Sequence, residues 1–381
     1  MSGSRSLRGL NGPGSFSRLL QLPGGIDGTL RDVCDGEGDA TPLRLSNAAA
    51  EVTVQPGTPN GIANKTYVDA VSRAFRVFPE DFGAVAGATD SSAALISAIS
   101  SAATQGFILD GRGRTYTSNA NLILTPDVAH WWRDIGIQFA GTPASTNLVQ
   151  HLNSAPVEIG TVTTDAAFGA ETMVLSSVDG LAVNDPILIS SDDNMTGVAA
   201  TFSRAGEVSR VRAIDTGTKT ITLYTRLRRA ATVVANGRVF RIGTLGRVRW
   251  ENVSLLGRGA GFNERGFFSA YGFGNFYRDC RFDQFEQACL AENVCFYSDG
   301  DNFWMRGTIS PQRAYGISHS GCYGASYGNL FGFRLRHAIT GSRAGSDYNR
   351  WCGRDCVFGN IISQEALGSA VDQHPGAGPI I

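Results

Sequence analysis

An Asn or Asp, then an apolar residue, any residue and a second apolar residue recur down the C-terminal third of the chain. The marks are Asn252-Val-Ser-Leu, Asp279-Cys-Arg-Phe, Asn302-Phe-Trp-Met, Asn329-Leu-Phe-Gly-Phe and Asp355-Cys-Val-Phe. They stand about 23 to 27 residues apart, an interval typical of stacked supersecondary units. Between them lies a second strand-like run in each unit: Phe268-Ser-Ala-Tyr, Leu290-Ala-Glu-Asn, Ile317-Ser-His-Ser, Ile339-Thr-Gly-Ser and Val371-Asp-Gln-His. Asn and Asp tolerate left-handed backbone and bond neighbouring peptide groups, so their recurrence at one turn predicts a ladder from rung to rung. Units of this length, with two or three short strands and no helix, fit an all-β parallel β-helix.

A solenoid needs its open end covered, because the first rung would otherwise expose core and an unpaired edge. The run TDSSAALISAISSAATQG supplies a cover. Thr89 or Asp90 offers a side-chain oxygen to the first free N–H groups, Ala93, Ile96 and Ile99 repeat at helical spacing, and Gly106 stops the helix. Directly after it, FILDGRGRTYTSNANLIL reads as two strand-like runs parted by Gly111 and Gly113. Between residues 158 and 243 the pattern changes to alternating strands joined by Gly and Asp turns, with DTGTKTITL as a hairpin. That stretch reads as a small β-domain inserted into the stack. The expected organisation is thus residues 78–157 as capping helix and first rungs, 158–243 as the insertion, and 244–381 as further rungs. The chain closes on AVDQHPGAGPII without a polar cap, which predicts that the rungs continue beyond residue 381. Residues 1–60, rich in Gly, Ser and Pro, read as an anchoring arm, and 61–77, with Tyr67, Ala70, Val71 and Phe75 on one helical side, as a connector.

Lys plus Arg (33) nearly balances Asp plus Glu (34), so no global field points to nucleic acid or an anionic membrane. No apolar stretch reaches the ~18 residues of a membrane span. The seven cysteines form no C-x-x-C pair, and no signal-peptide pattern opens the chain. Reduced thiols filling an apolar core are expected.

The run DFGAVAGATDSSAALISAI, the stretches LAVNDPILISSDD and GEVSRVRAI, and later RHAITGS and AVDQHPGAG together resemble phage tailspike and tail-fibre proteins with a pectin-lyase-like fold. The resemblance covers residues 78 to 381. Where that family carries two adjacent acids and a helical Gln, this chain has Asp90-Ser91 and Ser97. The segments TLRDVCDGEGDATPLRLSNAAAEV and NKTYVDAV also resemble virion-anchoring segments of tail fibres. The resemblance implies a right-handed β-helix, a homotrimer and a place in the phage tail. Catalytic residues vary between members, so none is carried over.

Stacked rungs place equivalent residues about 4.8 Å apart, so a strip can be read by aligning units. After the second run, that strip holds Tyr271, Glu292, His319, Arg343, Asp372 and His374. One reading is a saccharide groove in which Glu292 or Asp372, or a neighbouring subunit's carboxylate, works with His319 or His374, since glycoside cleavage needs two carboxylates flanking the bond. The other is a solvated face that carries polar groups as any solenoid must. Flat aromatics suit sugar C–H surfaces, which makes Tyr271, Trp304 and Trp351, with Trp131, Trp132, Tyr315 and Tyr323, candidate stacking platforms. The same residues also suit a core or a subunit interface. Asp192-Asp193-Asn194 lacks the spacing of a calcium loop and GRGRTY opens no helix, so neither a metal nor a cofactor is expected.

The expected function is a phage tail protein that attaches to the tail or baseplate through its N-terminal segment and recognises a bacterial surface polysaccharide. Depolymerisation by hydrolysis or elimination would extend that role. In the alternative, the β-helix is a rigid, non-enzymatic arm or adaptor. A cellular polysaccharide lyase fits less well with the anchor-like start.

Overall fold

A computed structural model describes residues 31–34, 40–45, 50–52, 75–141, 146–194, 204–308, 313–342 and 356–373. The chain divides into two units, Met1–Ala74 and Phe75–Ile381. In the first, Arg31–Cys34, Ala40–Leu45 and Ala50–Val52 pair antiparallel. The anchor and connector expected at 1–60 and 61–77 otherwise lie mostly outside the described residues.

The second unit is built on a parallel β-helix. Long strands Ile108–Ser118, Ala129–Phe139 and Arg247–Leu256 stack in parallel register. From the next turn onward each long strand divides at a corner, giving Phe276–Arg278 with Arg281–Phe285 and Asp299–Asp301 with Phe303–Gly307. Ser326–Tyr327 with Leu330–Phe333, and Val357–Phe358 with Ile361–Gln364, continue the series. A second parallel sheet takes one strand per turn: Leu122–Leu124, Asn147–Leu152, Arg265–Ala270, Ala288–Asn293, Tyr315–Ser320, His337–Ser342 and Val371–Gln373. Period-two alternation drives the packing: along Phe303–Gly307, Phe303 and Met305 are buried while Trp304 and Arg306 face out. Inside, Trp132 stacks on Trp250 with centroids 5.1 Å apart, and the chain of rings continues through Tyr277, Phe303 and Tyr327. Each such fully buried side chain contributes about 1.5–3 kcal/mol. Trp132 is therefore core, the second of the two readings open to it.

The corner carries the expected ladder. Asp134, Asn252, Asp279 and Asn302 all have positive φ. Asn252 Nδ2 donates to Asp134 Oδ1 at 2.8 Å, Asn302 Nδ2 to Asp279 Oδ1 at 2.5 Å, and Asn329 to Asp301 Oδ1 through both its N–H and Nδ2. Two register readings are corrected. Leu330 pairs with Ile361, so the rung after Asn329 is marked by Asn360, whose Nδ2 donates to Asn329 Oδ1, and not by Asp355, which lies outside the described residues. Leu290 pairs with Phe267, so the first of the second-sheet runs is displaced by one from Phe268.

Helix Ser92–Gln105 closes the stack. Asp90 Oδ1 accepts the Ser92 N–H at 2.9 Å, and Gly106 ends the helix at φ 66. The buried stripe is Leu95, Ala98, Ile99 and Ala102, packed with Leu109, Tyr116 and Leu122. Ala93 and Ile96 face solvent, so the expected stripe is rotated: Ala and Ser fill most of the helix, and few large side chains mark its face.

Between Leu152 and Arg247 the chain leaves the stack to form a closed antiparallel barrel. Its strands are Val157–Thr164, Thr172–Leu175, Pro186–Asn194, Arg204–Asp215, Thr220–Leu223 and Arg238–Arg241. The barrel has its own core, with Met173, Ile187, Val211, Ile221 and Val239 fully buried. The hairpin after Asp215 forms where the sequence predicts it. Arg247–Leu256 then pairs with Ala129–Phe139 as though the chain had not left. No helix among the described residues is long and apolar enough to cross a membrane.

Candidate functional site

Glu292 and His319 do not lie on a surface strip. Leu290 points into the core, and period two sends Glu292 the same way, into one inward column with His151, Ser269 and His319. The Glu292 side chain is 0% exposed and its Oε1 accepts Asn275 Nδ2, Tyr277 Oη and Ser298 Oγ, each at 2.9 Å. Its Oε2 accepts Tyr327 Oη at 2.6 Å and lies 3.6 Å from His319 Nε2. Burial lowers the His319 pKa and, with the nearby Glu292 charge, raises those of Tyr277 and Tyr327, so the imidazole is neutral and both phenols stay protonated as donors. This arrangement holds three successive turns together from within, through Tyr277, Ser298 and Tyr327.

Asp372 belongs to the adjacent column, level with Thr340, and its Oδ2 sits 3.3 Å from His337 Nε2. The expected strip therefore does not align Asp372 with Glu292 and His319. Tyr271, at φ 56, packs partly buried against the apolar cluster described next. Trp304 faces outward and half-buried on the other sheet, its ring 4.3 Å from the Arg281 guanidinium. His374, Arg343 and Trp351 lie outside the described residues.

The turn after each second-sheet strand builds a different feature. Phe273, Phe296 and Tyr323 bridge in sequence from rung to rung, with the Phe296 and Tyr323 rings stacked at 5.9 Å. This column packs on Leu188, Phe240 and Ile242 of the barrel, so barrel and β-helix share a small core. A Cβ at Gly206 would stand 2.9 Å from Tyr323 Oη, which is why the barrel strand carries glycine where it meets that ring. At the edge of the junction opens a cleft of ≈ 460 Å³ lined by Tyr297, Tyr323 and Gly324 from the turns and Glu207, Val208, Thr225, Arg226 and Arg228 from the barrel.

Tyr297 follows the buried Phe296 and is itself 43% exposed. Gly324, at φ +61, lies so near its ring that a Cβ would be 2.8 Å from Cδ1, so backbone supports one edge of the platform. Across the cleft, Glu207 Oε2 accepts the Arg228 backbone N–H at 2.9 Å, and Arg226 Nε donates to Glu171 Oε1 at 2.9 Å. A flat aromatic face, two guanidinium groups, a carboxylate and Thr225 are groups whose chemistry suits a hydroxyl-rich ring bearing anionic substituents. Among the described lining residues, Glu207 supplies the carboxylate. Of this set, sequence reasoning named Tyr323 alone. The missed signal is the aromatic recurring at Phe273, Phe296-Tyr297 and Tyr323, in the turn that follows each strand run.

No protein-family model matches the sequence, and no curated protein matches it. Solved structures do. The tailspike protein gp49 from Pseudomonas phage LKA1 aligns at 19% identity and TM-score 0.65, covering 80% of this chain and 55% of that one. The Gp54 tailspike of Acinetobacter baumannii bacteriophage AP22, solved in complex with A. baumannii capsular saccharide, aligns at 14% identity and TM-score 0.58, covering 80% and 50%. The Pseudomonas phage phi297 tailspike gp61 aligns at 14% identity and TM-score 0.50, covering 79% and 59%. The chain thus spans between half and three fifths of the length of these structures, and its fold is that of phage tailspikes.

Proposed function

We propose that this chain is part of a phage tail protein that engages a bacterial surface polysaccharide in the cleft between barrel and β-helix. The observation that carries the reading is the cleft itself: an exposed Tyr297 braced by Gly324 and faced by Arg226, Arg228 and Glu207. The tailspike fold, and the capsular saccharide held by one protein that shares it, support the same reading. Within it, residues 1 to about 60 attach the protein to the virion tail, and three copies assemble side by side. Glu292 and His319 act in holding the rungs together, not in the groove.

The test is binding of purified capsule or O-antigen from a susceptible host, by calorimetry, with Tyr297→Ala and Arg228→Ala against Trp304→Ala as a control outside the cleft. Loss of binding in the first two alone supports the site; equal loss in all three, or none, overturns it. Release of oligosaccharide during the same incubation would identify depolymerisation. Binding without release favours the second reading, a recognition arm without catalysis, for which the inward-facing Glu292 and, among the described lining residues, the single carboxylate Glu207 speak.

A further inference from the structure

Two successive turns leave the second sheet with the same spacing of donor side chains, Glu292-x-x-Cys295 and His319-x-x-Cys322. Because Glu292 pairs with His319 in parallel register, the two sets lie one above the other inside the β-helix. A Glu292 carboxylate oxygen and the Sγ atoms of Cys295 and Cys322 lie within 4.8 Å of one another, and His319 Nε2 lies 3.6 Å from Glu292 Oε2. We propose that Glu292, Cys295 and Cys322 form a buried site for a divalent cation of the zinc class, with His319, which lies beside Glu292 and outside that three-residue cluster, as the fourth donor.

The donors and their surroundings fit that ion. Bonds of about 2.0–2.3 Å in a tetrahedron place ligand atoms roughly 3.3–3.8 Å apart; the Glu292–His319 separation of 3.6 Å meets that range, and the Glu292, Cys295 and Cys322 atoms, within 4.8 Å of one another, would draw together on binding. Mixed thiolate, imidazole and carboxylate donors select zinc over calcium or magnesium. The carboxylate is oriented by four hydrogen bonds from Asn275, Tyr277, Ser298 and Tyr327, the outer-shell support that a metal-bound carboxylate requires. A bound dication displaces the thiol protons, so both cysteine protons leave to solvent as the two metal–sulfur bonds form, with no change of oxidation state. The consequence is local: Cys295 precedes Phe296-Tyr297 and Cys322 precedes Tyr323-Gly324, so the ion would cross-brace the two turns that carry the cleft's aromatic wall.

The full chain, expressed in zinc-supplemented medium and purified through a chelator wash, is analysed for metal and for cobalt uptake on refolding. The expected result is about one zinc per chain that survives the wash, and a thiolate-to-cobalt charge-transfer band after refolding with Co²⁺. Both fall to background in Cys295→Ser/Cys322→Ser. Should that double variant fail to fold, His319→Gln serves in its place, with an altered cobalt spectrum as the expected outcome. Wild-type protein that folds with zinc at background and shows no charge-transfer band, or whose zinc is lost to the wash as an adventitious ion only, overturns the proposal.

Discussion

Single side chains here divide between those that hold the turns together and those that face outward, and substitution separates the two. Tyr297 is half exposed and off the core, so Tyr297→Ala should leave the thermal midpoint within a degree or two while weakening glycan binding about tenfold, roughly 1.4 kcal/mol. Gly324→Ala should weaken binding as well, because its Cβ would meet the Tyr297 ring at 2.8 Å in a backbone conformation that resists a side chain. Tyr327→Phe keeps the ring stacked on Phe358 but removes the 2.6 Å donor to Glu292, and should cost about 2 kcal/mol in guanidinium unfolding with glycan affinity unchanged. His151 is fully buried and meets His130 edge-on at 5.2 Å. Burial, reinforced by His130, lowers its pKa from 6.5 to about 4. The unfolded chain therefore takes up the proton first, so the stability held above pH 6.5 drains away as pH falls toward 4, by about 3 kcal/mol in all. His151→Leu should make the fall of the unfolding midpoint across that window shallower, with the remainder carried by His130 and His319, whose pKa values burial also lowers. None of this was legible at residue level in the sequence: Glu292 and His319 read as solvated because ionisable groups usually are, and only the register shows that they share the face of Leu290.

Elements were more legible than residues, since hydrophobic period and turn chemistry are local while facing is not. The rung interval and the Asn/Asp corner could be read directly, because left-handed backbone selects those side chains at Asp134, Asn252, Asp279 and Asn302. The reading slipped where a neighbour mimicked the mark. Asp355 has an apolar follower, but Asn360 makes the ladder bond, and a one-residue shift put Phe268 in the place of Phe267. The capping helix was placed correctly and its face was not, since with so many small residues Leu95 had no stronger claim than Ile96 until a rung lay beneath it. Asn302 supplies a direct test of the corner. Asn302→Ala loses the bond to Asp279 and strains a φ of 58, for an expected cost of about 2 kcal/mol in denaturant midpoint. Asn302→Gly removes the strain alone and should recover roughly half.

At the scale of the whole second unit, the barrel is a guest whose removal the stack should survive. The chain departs at Asn153 and returns at Gly246, and these ends are bonded to each other, Asn153 Nδ2 donating to Gly246 O at 3.3 Å. Across the gap Arg247–Leu256 pairs with Ala129–Phe139 along nearly its whole length, so the β-helix does not need the barrel for register. The two bodies touch through Leu188, Phe240 and Ile242 against Val294, Phe296 and Tyr323, with Val208, Tyr271 and Phe273 packed alongside. Replacing residues 156–243 by a short Gly/Ser linker should therefore keep a cooperative transition and the parallel-sheet dichroism. It should also uncover the Val294–Phe296–Tyr323 face, with a rise in hydrophobic-dye binding and in self-association. Glycan binding should vanish, because Arg226, Arg228 and Glu207 leave with the barrel. If instead the shortened chain still bound glycan at full affinity, the recognition surface would lie on the β-helix alone, with the outward ring of Trp304 between its arginines as the next place to look.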